Sequence, residues 1–430
     1  MNNTREYAEK LLTYLDNAPT PFQSVDELEK MLVSAGACEL IESAEWNIER
    51  GKLYYMKKSG TQIVAFRIAG EPKETGFRIG AAHHDAPAFR IKTVPSSIDS
   101  GYERIMLEGY GGLIVHGWLD RPLSIAGRVY VKDVESAEGY RPVNVNIKKP
   151  LLLIPSAAPH VKKDVNENAK YSIQTEMRPF FTKSKDGKET FTKYLANYIG
   201  VEESDILSYE LAPYDAEPGC FIGENDEFIS VPRLDDCAMA HAIITGMCDS
   251  NTSGANAIAA IFDHEEIGSA SDRGAKCNTL MQLIDRICEK LDYTTEDKYR
   301  ALANSIVFSA DMAHATHPSY KHLQDPKLEV KLGEGPVLKI SQSQHYSTSA
   351  RGSAFFRTLC EKEGIPYQQF NNNSDVRGGG TIGPMISADY GVCSVDVGNP
   401  TLAMHAVREF GGTDDGYYMA KLFEAFFMGK

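Results

Sequence analysis

Ile261-Phe262-Asp263-His264-Glu265-Glu266-Ile267-Gly268-Ser269 completes an apolar run that begins at Ala257. The run is short, rich in Ala and Ile, and bounded by a Gly, Asn and Ser cluster before it and by Gly268 after it. It therefore reads as a buried parallel strand running into a loop. Two adjacent glutamates at the carboxyl end of such a strand stand where open α/β sheets hold their ligands. Neighbouring side chains cannot share one direction, so one carboxylate can bind a metal while the other reaches a water. That division suits metal-assisted hydrolysis, with one Glu as ligand and one as general base. Taken alone, the pair also reads as a solvated acidic loop.

Four other places bear on the choice. A strand over 77–82 ends in Ala82-His83-His84-Asp85-Ala86-Pro87, where a His with an Asp two residues on suits a metal ligand and the carboxylate that orients it. Arg233-Leu234-Asp235-Asp236-Cys237 opens a helix, and its acids either complement the helix dipole or make Asp235 a rigid bridge between two ions. The apolar strand 305–310 ends at Asp311, and the strand 392–397 leads to Met404-His405. Each chemistry-bearing residue follows a strand or opens a helix.

The rest of the chain bounds the answer. At 430 residues it exceeds one ordinary core, so two domains, or one with a large insertion, are expected. The formal net charge of -14 argues against nucleic acid and anionic membrane as partners. No apolar run is long enough to span a bilayer, and no signal-peptide core follows Met1. Eight scattered cysteines without a C-x-x-C pair imply reduced, mostly buried thiols and a cytoplasmic protein. A helix is expected over 5–16, a second opens at Ser24 with Glu27 as a capping box, and strands follow at 53–57 and 62–68. From about 90 to 230 short β-rich pieces (105–108, 112–119, 127–132, 143–147) alternate with turns, and a polar, lysine-rich stretch runs through Lys188. This texture reads as an inserted lobe for assembly. Gly378-Gly379-Gly380-Thr381 is no P-loop, since no Gly-Lys-Ser/Thr follows. The aromatic stripe of the last helix, Tyr417 to Phe427, reads as core packing.

Oxygen and nitrogen donors without thiolate suit zinc, or cobalt or manganese. A pair of such ions about 4 Å apart makes a two-metal hydrolytic clamp. The spacings are too wide for a local metal motif, and periodicity cannot bring these residues together. Their order is informative, however. His83-His84-Asp85-Ala86-Pro87, Tyr110-Gly111-Gly112, His116-Gly117-Trp118-Leu119-Asp120-Arg121-Pro122, Pro232-Arg233-Leu234-Asp235-Asp236, Asp263-His264-Glu265-Glu266-Ile267-Gly268-Ser269, Ser309-Ala310-Asp311-Met312-Ala313-His314 and Met404-His405 together resemble the aspartyl aminopeptidase / vacuolar aminopeptidase I family of co-catalytic zinc peptidases, nearly end to end.

The resemblance implies an α/β catalytic domain (1–90 and 230–430) with a mixed central sheet flanked by helices, interrupted by a β-rich dimerisation domain (91–229). It implies dimers that build tetrahedral dodecamers, and peptide substrates. Two divalent ions per subunit, most readily zinc, would be held by His83 and Asp311 on one side and Glu266 and His405 on the other, with Asp235 bridging. Asp85 would orient His83, Glu265 would be the general base, and His160 would reach a neighbouring subunit's active site. Lys339 resembles a family lysine near the substrate side-chain pocket, where a buried cation favours N-terminal Asp or Glu over neutral residues. The family's usual H-T-D-S-P is H-H-D-A-P here, and its L-D-N is Leu234-Asp235-Asp236. Beside the metalloaminopeptidase stand two other readings: a related zinc deacylase or carboxypeptidase, and a non-catalytic oligomeric scaffold. The scaffold has no use for Glu265.

Overall fold

The computed structural model describes residues 2–168, 170–184, 186–250, 254–376 and 378–430. The chain divides into two compact units, one made of Met1–Asp85, Gly219–Met404 and Glu409–Lys430, the other of Ala86–Pro218 and His405–Arg408.

The first unit is a three-layer α/β structure. Its sheet contains β1 (Cys38–Glu39), β2 (Leu53–Lys58), β3 (Gln62–Ile68), β4 (Arg78–His83), β5 (Asn256–Phe262), β6 (Ile306–Ala310), β7 (Val337–Lys339), β8 (Gln368–Phe370) and β9 (Cys393–Gly398). The spatial order is β1-β2-β3-β5-β4-β6-β9-β7-β8. β5, β4, β6 and β9 are mutually parallel neighbours, whereas β3 runs antiparallel to β5 and β7 to β9. The sheet is therefore mixed, with a parallel centre whose carboxyl ends share one edge.

Every residue of β5 is buried. Ala257, Ala259 and Ile261 join one core cluster while Ile258, Ala260 and Phe262 join another. That alternation shows a strand covered on both faces, which its unbroken apolar run required. Helices Asn2–Asn17, Pro21–Ser34, Leu234–Asp249, Ala350–Glu363 and Asp415–Phe427 supply residues to the first cluster, and Thr279–Lys290, Thr295–Ala303 and Gly383–Tyr390 to the second. The C-terminal stripe packs as expected: Phe426 stacks on Phe308 of β6 at 4.2 Å between ring centres. Close approach demands Gly246, where a Cβ would stand 2.6 Å from that of Phe423.

The second unit is β-rich. One three-stranded sheet pairs Leu123–Lys132 with Ile206–Asp215 and Tyr140–Asn146, and another pairs Tyr102–Tyr110 with Ala88–Asp99 and Phe180–Lys183. The helix Phe191–Ile199 is tied to this fold by Glu103, whose carboxylate accepts hydrogen bonds from the Thr190 and Phe191 N–H groups at 2.8 and 2.9 Å.

Two local expectations differ from the fold, and one strand is unexpected. Residues 112–119 form no strand; Val115–Trp118 is a 3-10 turn, which drives Trp118 inward against Phe89. A strand, Phe180–Lys183, lies within the polar, lysine-rich stretch, for which no element is expected. The second helix begins at Pro21, whose missing N–H costs nothing at a first helical position, and Ser24 bonds to Tyr14 and His84 instead of capping. Cys237, Cys288 and Cys360 are buried, Cys220 is exposed, and the other four cysteines are intermediate. No helix of the described residues is long and apolar enough to cross a membrane.

Candidate metal centre

The carboxyl ends of β4, β5 and β6 bring His83, Glu265, Glu266 and Asp311 to one edge, and the start of the Leu234–Asp249 helix adds Asp235. His83 is 1% exposed. Its Nδ1 lies 3.1 Å from the Asp85 carbonyl oxygen and 3.3 Å from Asp85 Oδ1. Both neighbours are acceptors, so the ring proton sits on Nδ1 and the Nε2 edge faces the acids. Nε2 stands 3.6 Å from Asp235 Oδ1 and 4.0 Å from Glu265 Oε2.

Asp85 has a second duty. Its two oxygens accept the backbone N–H groups of Glu265 and Glu266 at 3.0 and 3.1 Å. A fully buried carboxylate thus orients the histidine and holds the Glu-Glu turn together. The turn itself is a short 3-10 segment, Glu265–Ile267, entered through His264 at φ 61° and left through Gly268 at φ 96°. The second of these suits glycine.

Asp235 and Asp236 do not sit in a regular first helical turn, because their backbones are non-helical (φ -84°, ψ 107° and φ -123°, ψ 18°). The dipole explanation of the two acids therefore loses its geometric basis. Asp235 is held from below by Glu409 Oε2, which accepts its N–H at 2.8 Å. Glu409, 2% exposed, was invisible to sequence reasoning; the only signal was an acid opening a short Gly-rich strand.

Ligand atoms of His83, Asp235, Asp236 and Asp311 lie within 4.8 Å of one another, as do those of His83, Glu265 and Glu266. Burial raises the proton affinities of Asp236, Asp311 and Glu265, the last to about 7, and neighbouring carboxylates push the same way. Burial would lower that of His83, yet Asp236, Asp85 and Glu265 raise it well above the ordinary imidazole range. Closely spaced, desolvated acids of one sign favour a compensating cation. Hard oxygen donors with imidazole and no thiolate fit a divalent ion of the zinc, manganese or cobalt type.

Lys339, on β7, is 3% exposed and donates to Asp311 Oδ1 at 3.0 Å. The remaining two site candidates belong to the second unit. His405 has left-handed backbone (φ 67°), and its Nδ1 lies 3.1 Å from the Gly112 carbonyl, so its ring proton is on Nδ1 and its lone pair on Nε2. His160 is exposed in a turn.

Comparison with known proteins identifies the family of the chain. The family model of the aminopeptidase I zinc metalloproteases (M18) matches residues 14–427. A probable M18 family aminopeptidase 2 of Clostridium novyi (strain NT) is 40% identical over 432 residues, covering 99% of this chain and 100% of the relative. Among solved structures, a chain of the Ape4 and Nbr1 complex superposes with a TM-score of 0.94 at 33% identity, covering 100% of this chain and 87% of its own. The S. cerevesiae mApe1 dodecamer superposes with a TM-score of 0.86 at 26% identity, covering 99% and 97%. With a family model spanning nearly the whole chain and a relative of that identity, this protein belongs to the M18 aminopeptidase family of zinc metalloproteases.

Proposed function

We propose that this M18 aminopeptidase works with two divalent cations, zinc first among them, held by His83, Asp235, Asp311, Glu266 and His405. The observation that carries the reading is the convergence of His83, Asp235, Glu265, Glu266 and Asp311 on one sheet edge. The role of His405 rests on the family resemblance of Met404-His405. Bound ions would supply Lewis acidity, lowering the pKa of water and taking up charge that develops on the carbonyl oxygen.

The protein's own groups do the rest. Glu265 takes a proton from the attacking water and delivers it to the departing amine. Asp85 keeps Glu265 and His83 in place. Lys339 tilts preference modestly towards N-terminal Asp or Glu, because a substrate carboxylate must share its ammonium with Asp311. The β-rich unit serves assembly into dimers and larger homo-oligomers, a reading supported by likeness to the mApe1 dodecamer, and His160 reaches a neighbouring subunit's site.

The test is hydrolysis of aminoacyl-p-nitroanilides carrying Asp, Glu, Leu, Lys and Ala, with chelator and then with zinc, cobalt or manganese restored. Chelator-sensitive release, somewhat faster for Asp and Glu, is expected. No release with any metal, from protein of normal fold and metal content, would turn the reading towards the deacylase.

A further inference from the structure

The β4–β6 ladder ends one step short of the metal centre. It pairs Arg78 with Ile306 through to Ala81 with Ser309 and then stops. Beyond that point the two strands carry His83 and Asp311, which must separate to leave room between them. Parting leaves backbone groups to satisfy. The His84 N–H is directed at the other neighbour, bonding to the Phe262 carbonyl of β5, so the His83 N–H faces β6. Likewise the Asp311 N–H bonds to Val397 of β9, so the Met312 N–H faces β4.

Asp236 fills the opening. Its Oδ2 accepts the His83 N–H at 3.3 Å and its Oδ1 accepts the Met312 N–H at 3.2 Å. Its side chain is fully buried. We infer that Asp236 is a positioning residue: its carboxylate replaces the missing rungs of the β4–β6 ladder and sets the spacing of His83 and Asp311. Without oxygen acceptors at this position both buried N–H groups would be left without a partner.

The metal-related part of this inference rests on the proposed ligand roles of His83 and Asp311; the backbone part does not. Asp236→Ala is therefore examined in two ways, beside Glu103→Gln as a control that disturbs a buried carboxylate of the other unit. In metal-free protein, hydrogen exchange resolved to single residues should show the His83 and Met312 amides exchanging at least about tenfold faster in D236A and unchanged in E103Q. Zinc affinity, by competition with a chromophoric chelator, should fall about 10- to 100-fold in D236A, the scale of lost support behind a ligand. The visible spectrum of the cobalt-loaded protein should change in D236A and not in E103Q. Wild-type exchange at His83 and Met312 in D236A would overturn the inference. Faster exchange with unaltered zinc affinity and cobalt spectrum would overturn the ligand spacing instead. Should D236A not fold, the wild-type protein still decides: its His83 and Met312 amides must be protected like the Asp311 amide, and exchange at an exposed rate overturns the bridge.

Discussion

Lys339 Nζ stands 3.0 Å from Asp311 Oδ1, and the two side chains keep only 4% and 12% of their exposure. Burial should lower the affinity of Lys339 for its proton, yet Asp311 raises it above the ordinary value, so the lysine stays charged. A buried pair of this kind is costly to break from one side. Lys339→Met should lower the stability of metal-free protein by about 3 kcal/mol, read from urea denaturation. It should also reduce the Asp-over-Leu ratio of kcat/KM by roughly three- to tenfold, the range of about one shared charge–charge contact. An unchanged ratio with lost stability would leave Lys339 as the partner of Asp311 and remove it as a selector of substrate.

Glu265 is held by its backbone to Asp85, so a change confined to its side-chain head should leave the turn intact. Glu265→Gln is expected to retain wild-type zinc content and to lose at least about a hundredfold in kcat, the scale of a general base. Zinc analysis alongside steady-state kinetics distinguishes this from loss of metal. Turnover near wild type with full metal would end the assignment.

Tyr14, Ser24 and His84 form a buried chain. The Tyr14 hydroxyl lies 2.6 Å from Ser24 Oγ, Ser24 Oγ lies 2.8 Å from His84 Nδ1, and His84 Nε2 lies 2.6 Å from the Thr61 carbonyl. A carbonyl only accepts, so Nε2 carries the proton, Nδ1 accepts from Ser24, and Ser24 accepts from Tyr14. Ser24→Ala breaks two bonds at once and strands Tyr14 and His84 groups away from water. The expected loss is about 1–3 kcal/mol in urea or thermal denaturation; a change within a few tenths would show that the chain contributes nothing.

His241 sets part of the acid sensitivity. It is buried on the Leu234–Asp249 helix, between the Tyr7 hydroxyl at 2.8 Å and the Tyr14 ring. Burial, with a smaller push from Lys10, lowers its pKa from 6.5 to about 3. The unfolded chain takes up this proton as pH falls through 6.5, while the folded chain refuses it until about 3, so the stabilisation is present above 6.5 and is lost on the way down. Each pH unit in that window costs up to about 1.4 kcal/mol. Between neutral pH and about pH 4.5, His241→Phe should lose roughly 2 kcal/mol less stability than the wild type, measured by urea denaturation across pH. Parallel losses in the two proteins would place the acid sensitivity elsewhere.

Much of the architecture could be read from local pattern. The unbroken apolar run ending at Phe262 demanded a strand buried on both faces, and the alternation of Ala257 to Phe262 between two cores is that strand. The strand ends at His83 and before Asp311 were legible because apolar runs stop abruptly at polar side chains. Patterns of this kind depend on a few neighbouring residues, so they survive in one dimension. Residues 112–119 were misread, and the strand 180–183 was not legible, for the converse reason: Trp118 turns inward to meet Phe89, and Phe180–Lys183 pairs with Tyr102–Tyr110, which is distant in sequence.

Chain order alone established which residue types stand at the strand ends, because turn and strand chemistry is local. The meeting of those ends was decided by tertiary structure. Nothing near Asp85 in sequence indicates that its carboxylate caps the amides of Glu265 and Glu266, 180 and 181 residues away. Nor does any local signal pair Glu409 with the Asp235 N–H, or Lys339 with Asp311. Such contacts arise from the order in which strands enter the sheet, and hydrogen bonds between buried groups form only once the packing of the whole unit has excluded water from them.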